Sequence, residues 1–529
     1  MNCFTRMLVL GVTLLIVCAN TSATTTLDIL GVAALRAVTT NLDGSGIRVI
    51  QAEASGNPSL NFEVNPNAVG QPTNLFTYYS SFGSALGFPN VVGVESGHGD
   101  GVAAGFYGMP DGVATNVAHV DNYDADFYLT NYVFNLVAAP DAVIANQSFT
   151  FNPLSVSDQQ QVDSAYDDYE ETFHTFFVSA ANNYGNSAVV CAPGTAYNCI
   201  SVGAYAGGNY YNSIGPTIDN GRCKPDITSL NGATSFSTPQ VAGAAAVLMQ
   251  AALRGDGGSD TNSAFDLRTI KALLLNGAVK PLGWTNSNSS PLDARYGAGV
   301  VNVLNAYKQL AGGKRGWNFS TNISPNAPHP PPAVTSTVPV LSGWDFNTNS
   351  RAIGGPTENV KHYFFNVSNS VAAARFTATA TLVWNRQLGL TNINNLNLYL
   401  YNCANSNLVA CSTSLGDNVE HICATNLTPG RYNLQVYKVS SDAVSDTETY
   451  ALAWEFISPA LQLAKSGVNT TLTWPAYPAG FLVETRTNLL SDVWTTNGMV
   501  PPQFTNGLNS IPLNTTNATQ FFRLRKPNL

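Results

Sequence analysis

The chain has 529 residues, enough for roughly three or four domains. With 44% hydrophobic and only 11% charged residues, it suits a folded, neutral-surfaced protein rich in loops and β-structure. A net charge of −9 and the lack of any basic cluster argue against a nucleic-acid or anionic-membrane partner.

The chain opens with Arg6, an apolar run over 7–19 and the small residues Thr21, Ser22 and Ala23, a pattern that predicts a secretory signal over 1–23. The run is shorter than the ~18–20 residues that span a bilayer, so no membrane anchor is expected in the mature form. Cys18 raises lipidation, but the bulky Val17 before it argues against that. The predicted location is therefore extracellular or periplasmic, where disulfides form. Six cysteines remain, and short loops favour Cys191–Cys199 and Cys403–Cys411, leaving Cys223 and Cys423 free or bridging. No cysteine–histidine spacing suggests zinc.

Over 24–312, helix-like and strand-like segments alternate, which predicts an α/β domain with a mostly parallel sheet covered on both faces. A helix is expected over 28–39 and a strand over 46–52, ending at Glu53. Apolar strands follow over 143–149, 175–181 and 200–204, and an amphipathic helix over 264–277 carries Leu267, Ile270, Leu273 and Leu274 at 3–4 spacing.

The most informative stretch is 231–252. It sets Ser235 at the mouth of a helix too rich in small apolar residues to lie on the surface. Backbone N–H groups at a helix start lack intrahelical partners and can hold an oxyanion. Pro239 is expected in the first turn, where its missing N–H costs nothing. A serine nucleophile also needs a base, an orienter for the base and a second oxyanion donor. His98, flanked by Gly97 and Gly99 and followed by small residues, is the candidate base; His119, His174, His329, His362 and His421 lack such surroundings. Asn183 follows an apolar strand that ends in small residues, at the edge where α/β sheets collect their sites. Glu53 is the candidate orienter; Glu95 and Asp100 lie too near His98 in sequence to face its ring easily.

These segments resemble the subtilisin-like serine proteases, the subtilases. The run 231–243 is similar to their Gly-Thr-Ser-x-Ala-x-Pro-x-Val-Ala-Gly motif, with Ala233 for the first Gly and Ser237 for the Ala. The segment 98–105 is similar to His-Gly-Thr-x-Val-Ala-Gly, with Asp100 for the Thr, and 180–183 to Ala-Ala-Gly-Asn, with Asn182 for the Gly. Residues 143–149 resemble the strand that pairs with an extended substrate, and 200–204, 224–227 and 296–302 resemble further subtilase segments. The order acid, His, Ser is the family's. The resemblance implies a serine endopeptidase in which Ser235 attacks, His98 is the base, Glu53 stands for the family's aspartate, and Asn183 completes the oxyanion hole. Ser148, Phe149, Thr150 and Asn182 would line the substrate cleft. Glu also occurs in the acidic sedolisin relatives, but as the base in place of His, so His98 and Asn183 imply subtilase-type chemistry near neutral pH. No cofactor is indicated, and no calcium site is marked, although many subtilases bind calcium. Many secreted subtilases carry an N-terminal pro-domain. Only about 30 residues separate Ala23 from Glu53, so folding is expected to be unassisted or helped by the C-terminal modules.

Beyond 312 the texture changes. A Pro-rich linker is expected over 313–341, with Pro325, Pro328, Pro330, Pro331, Pro332 and Pro339. Strands over 375–384, 396–401, 419–424, 431–437 and 450–456 predict a jelly-roll β-sandwich over 342–457. Residues 394–402 and 427–437 resemble the jelly-roll modules of bacterial extracellular proteases. Strands over 468–474 and 480–487 and residues 521–524 predict a small module over 458–529, similar to fibronectin-like domains. These modules would bind a surface, polymer or partner, or stabilise the catalytic domain. The rival reading is a subtilase-fold binding or adhesion protein with weak or lost activity, suggested by Glu53, Ala233, Asp100 and the missing pro-domain. A carbohydrate-binding or structural protein would rest on the β-modules alone and leaves 231–243 unexplained.

Overall fold

The computed structural model describes residues 25–55, 59–185, 189–321, 330–350, 358–368, 375–439, 444–458, 461–466, 469–475, 481–487, 493–496, 502–505, 508–513 and 520–525. The predicted signal over 1–23, His329 and part of the Pro-rich segment lie outside them.

The first half is built on a nine-stranded sheet. Its strands are β1 (Arg48–Glu53), β2 (Phe76–Ser80), β3 (Gly83–Leu86), β4 (His119–Asp124), β5 (Ile144–Gln147), β6 (Phe176–Ala180), β7 (Ile200–Ala206), β8 (Asn209–Tyr210) and β9 (Ile227–Leu230). The order is β8-β7-β6-β5-β1-β4-β2-β3, with β9 also on β7. All pairs are parallel except those of the two edge strands, β3 on β2 and β8 on β7. Side chains alternate across the strands, so each face has its own core. Val49, Val120, Ile144, Val178 and Val202 face one core, shared with the helix Thr234–Leu253. Ile50, Ala52, Tyr123, Ala145 and Phe177 face the other, closed by Tyr166 and Tyr169 of the helix Val156–Phe173.

The predicted helix over 28–39 is two helices, Thr26–Ile29 and Val32–Val38, broken at Gly31 with φ +76°. A Cβ there would sit 2.6 Å from Asn302 Oδ1, so close approach as well as the left-handed backbone selects glycine. The helix over 264–277 is likewise split. Asp266 caps Leu267–Gly277 by accepting from Arg268 N–H at 3.0 Å.

Residues Phe319–Thr321 and the described residues of 342–457 form two antiparallel sheets, one of five strands and one of four, packed face to face. Tyr363, Phe365, Trp384, Leu398, Leu434, Leu452 and Trp454 fill the space between them. The alternation over Phe376–Trp384 predicts one apolar face, yet the whole strand is buried. Its outer face carries the helix Leu267–Gly277, and Val383, Val419, Ala451 and Ala453 join the core of the first half. The last residues form a four-stranded antiparallel sheet, Gln462–Ser466, Asn469–Pro475, Leu508–Leu513 and Gln503–Thr505, and a two-stranded pair, Leu482–Arg486 with Phe521–Arg525.

The favoured disulfides are not present; all six cysteines are free. Cys191 Sγ takes a hydrogen bond from Asn182 Nδ2 at 3.3 Å, while Cys199 Sγ donates to Ser179 Oγ at 3.1 Å, so the sulfurs are held by different partners. Cys403 lies just past Asn402, which pairs with Asn407, whereas Cys411 is opposite Tyr399. Four residues of extended strand, ~13 Å, therefore part them, beyond the ~7 Å Cα limit of a disulfide.

Candidate functional site

The carboxyl ends of β1 and β5, with the turn after β6, bring Glu53, Ser148 and Asn183 to one edge of the sheet. Two helices complete the edge. The helix Gly97–Phe106 presents His98 in its first turn, two residues past the Ser96 cap, whose hydroxyl accepts from Gly99 N–H at 3.0 Å. The helix Thr234–Leu253 presents Ser235 as its second residue, where the backbone N–H has no intrahelical partner.

Glu53 is 2% exposed, and its Oε2 accepts from His98 Nδ1 at 2.7 Å. A carboxylate accepts only, so Nδ1 carries a proton, and in the neutral ring Nε2 keeps a lone pair. The Glu53 hydrogen bond raises the His98 pKa above its usual value; burial opposes this. Asp100, which replaces the Thr of the resembled motif, does not orient the ring. It accepts from Asn65 N–H at 2.7 Å, and burial lifts its pKa to about 6. The Phe236 ring, next to Ser235, lies 5.6 Å from the His98 ring, so the two helices meet face to face here.

Ser235 Oγ donates to Ser148 O at 3.3 Å, and among the described residues no hydrogen bond joins it to His98. Ser148 Oγ in turn donates to Ser235 O at 2.8 Å and accepts from Asn146 Nδ2 at 3.1 Å. That bond has a cause in the sequence. Pro239 is not in the first turn, as its place in the sequence suggests, but inside the helix. Its ring nitrogen cannot donate to the carbonyl four residues back, which is Ser235 O. Ser148 supplies the missing donor.

Asn183 Oδ1 accepts from Thr234 N–H at 2.8 Å and Thr234 Oγ1 at 3.0 Å. With the oxygen committed to the helix start, Nδ2 is the group of this side chain left to donate. Asn182 has φ +78°, the left-handed conformation that glycine favours and asparagine tolerates. Its side chain is spent on Asn183 N–H (2.7 Å) and Cys191 Sγ. Phe149 and Thr150 are half-buried beside Ser148, Phe149 against the tyrosine-rich core.

Other histidines serve elsewhere. His119 bonds Thr77 Oγ1 at 2.9 Å, His362 bonds Thr321 and Asn433, and His421 bonds Thr381 at 2.8 Å. Among the described residues no group of three or more His, Cys, Asp or Glu is placed to hold a metal ion, and no helix is long and apolar enough to cross a membrane.

The sequence reading missed Gln51. It lies two residues before Glu53 on the same face of β1, is fully buried, and donates to Glu53 Oε1 at 2.9 Å. A polar side chain in the middle of a central strand, in phase with the acid, is the signal that marks it. Thr234 and Ser148 Oγ, which hold Asn183 and Ser235, were legible only as motif neighbours.

A comparison with curated proteins returns no match. Among solved structures, the chain is similar to the prenylagaramide maturation protease PagA, at 18% identity over 54% of this chain and 99% of that one, with a TM-score of 0.36. A cold-adapted subtilisin-like serine proteinase aligns at 20% identity over 50% and 89%, TM-score 0.32. Fervidolysin from Fervidobacterium pennivorans, a keratinolytic enzyme related to subtilisin, aligns at 12% identity over 85% and 73%, TM-score 0.36. The model of the Subtilase family matches residues 91–299, which take in His98, Asn183 and Ser235 and leave Glu53 outside. Residues 91–299 thus match the model of the Subtilase family, a family of serine-type peptidases.

Proposed function

We propose that the chain is a secreted serine endopeptidase that cleaves extended polypeptide through Glu53, His98 and Ser235. The observation that carries this is the 2.7 Å bond from His98 Nδ1 to a buried Glu53, with the Ser235 helix packed against the His98 helix. Ser235 Oγ leaves Ser148 O by a side-chain rotation and attacks the scissile carbonyl. Its proton goes to His98 Nε2, and Glu53 stabilises the imidazolium. The oxyanion is held by Ser235 N–H and Asn183 Nδ2. The C–N bond then breaks, the proton passes to the leaving amine, and water, deprotonated by His98, releases the acyl group from Ser235.

One observation favours a second reading, a subtilase-fold protein that binds peptide without cleaving it: Ser235 Oγ rests on Ser148 O and not on His98. Digestion of an unfolded polypeptide separates the two. The enzyme reading expects internal cleavage by the wild type and none by Ser235→Ala. Binding of the polypeptide without cleavage supports the second reading.

A further inference from the structure

We infer that Gln51, held in turn by Tyr107, is a positioning residue that fixes the Glu53 carboxylate for His98. The inference rests on the Glu53–His98–Ser235 reading above. A glutamate has one more side-chain torsion than an aspartate, and that torsion must be stilled if Oε2 is to stay on His98. Each carboxylate oxygen has its own partner here: Oε2 takes His98 Nδ1 at 2.7 Å and Oε1 takes Gln51 Nε2 at 2.9 Å. Turning the carboxylate breaks both.

Gln51 is itself fully committed. Its second amide hydrogen goes to Gly99 O at 2.9 Å, the residue after His98, and its Oε1 accepts from Tyr107 Oη at 2.6 Å. The amide's orientation is fixed by chemistry. Glu53 Oε1 and Gly99 O only accept, so the NH2 must face them and the oxygen must face the Tyr107 hydroxyl. Tyr107 caps the far end of the helix Gly97–Phe106 that carries His98. Gln51 therefore ties the acid to both the start and the end of the histidine's helix. Gln51 and Tyr107 are both fully buried, so each hydrogen bond stands where an unpaired group would be costly.

The test uses the full chain with Gln51→Leu, Tyr107→Phe, Glu53→Asp and the double variant Gln51→Leu/Glu53→Asp. Active molecules are counted by fluorophosphonate labelling, and kcat and KM are measured on one peptide substrate. Gln51→Leu is expected to lower kcat per labelled site about tenfold or more with KM unchanged. Tyr107→Phe, which leaves Gln51 in place, should lower it in the same direction by less, and it serves if Gln51→Leu does not fold. The shorter Asp does not reach Gln51, so Gln51→Leu should cost little more in the Glu53→Asp background. Loss of melting temperature with kcat per labelled site unchanged, or fully additive losses in the double variant, overturns the inference and leaves the triad reading standing. A folded wild type that shows no Ser235-dependent labelling overturns both.

Discussion

At the scale of single residues, the proposed mechanism turns on Glu53, which would set how well His98 works as a base. Glu53→Gln can donate to Nδ1 and so favours the wrong tautomer; kcat is expected to fall by orders of magnitude, about 10⁴ in comparable triads, with melting temperature little changed. An unchanged kcat would mean that another group orients the ring. Asn183→Ala should lower kcat by about 10²–10³, because it removes the side-chain oxyanion donor and leaves the Ser235 N–H in place. The raised His98 pKa has a sign that can be checked. The base must be neutral to act, so the acid limb of the kcat/KM profile should fall above pH 6.5, the usual histidine value, and activity should rise as pH climbs through it. Of the nearby carboxyls, Glu53 faces the ring directly, while Asp100, whose pKa is about 6, is turned to Asn65 N–H. An acid limb at or below 6.5 would contradict the Glu53 hydrogen bond as the dominant influence.

At the scale of elements, the strands and helices that carry the candidate residues were readable because each has a short-range signature. The strand into Glu53, the Gly-flanked His98 and the small-residue helix at Ser235 all appear where their patterns place them. What the sequence hid is what long-range contact decides. Nothing local shows that Gln51 reaches Glu53 on one side and Tyr107, 56 positions away, on the other. Nor does local pattern show that Ser148 Oγ replaces the donor Pro239 lacks, 87 positions from the Ser235 carbonyl it serves. The short-loop argument for disulfides failed for a related reason: loop length says nothing of hairpin register. A further element-level case is the loop over 196–199. Lys271 Nζ donates to the Tyr197, Asn198 and Cys199 carbonyls, and Lys224 Nζ to those of Ala196 and Cys199. Asp226, 2.7 Å from Lys224 and 3.7 Å from Lys271, is the carboxylate they share. Lys271→Met would leave Asn198 O without its lysine donor, while Cys199 O keeps Lys224 and Tyr197 O keeps Asn418, and should destabilise by about 1–3 kcal/mol. Denaturant unfolding measures it, and a loss below about 1 kcal/mol would show that the carbonyl finds another partner.

At the scale of the whole molecule, the β-sandwich is continuous with the α/β half. Arg386 of the sandwich is 3% exposed and bonds Asp167 at 2.8 Å, Asp168 at 2.8 Å and Ser164 O at 2.8 Å, all on the helix Val156–Phe173. Asn198 binds it on both sides, accepting from Arg386 N–H at 2.8 Å and donating to Arg386 O at 3.3 Å. Asp417 accepts from Cys223 N–H at 2.7 Å, and Asn418 donates to Tyr197 O at 2.9 Å. Arg386→Ala leaves Asp167 buried without its guanidinium partner, a loss of about 3–5 kcal/mol, and should lower the unfolding transition of the α/β half and the sandwich together. Two separate transitions, with only the sandwich shifted, would contradict the shared core.

These scales meet in one claim, that Ser235 is a nucleophile made ready by His98 and Glu53. Fluorophosphonate labelling of the folded wild type, mapped by peptide mass, tests it most directly. The account predicts label on Ser235, none in Ser235→Ala and much slower labelling in Glu53→Gln. No label on a folded wild type, or label that persists in Ser235→Ala, would contradict it.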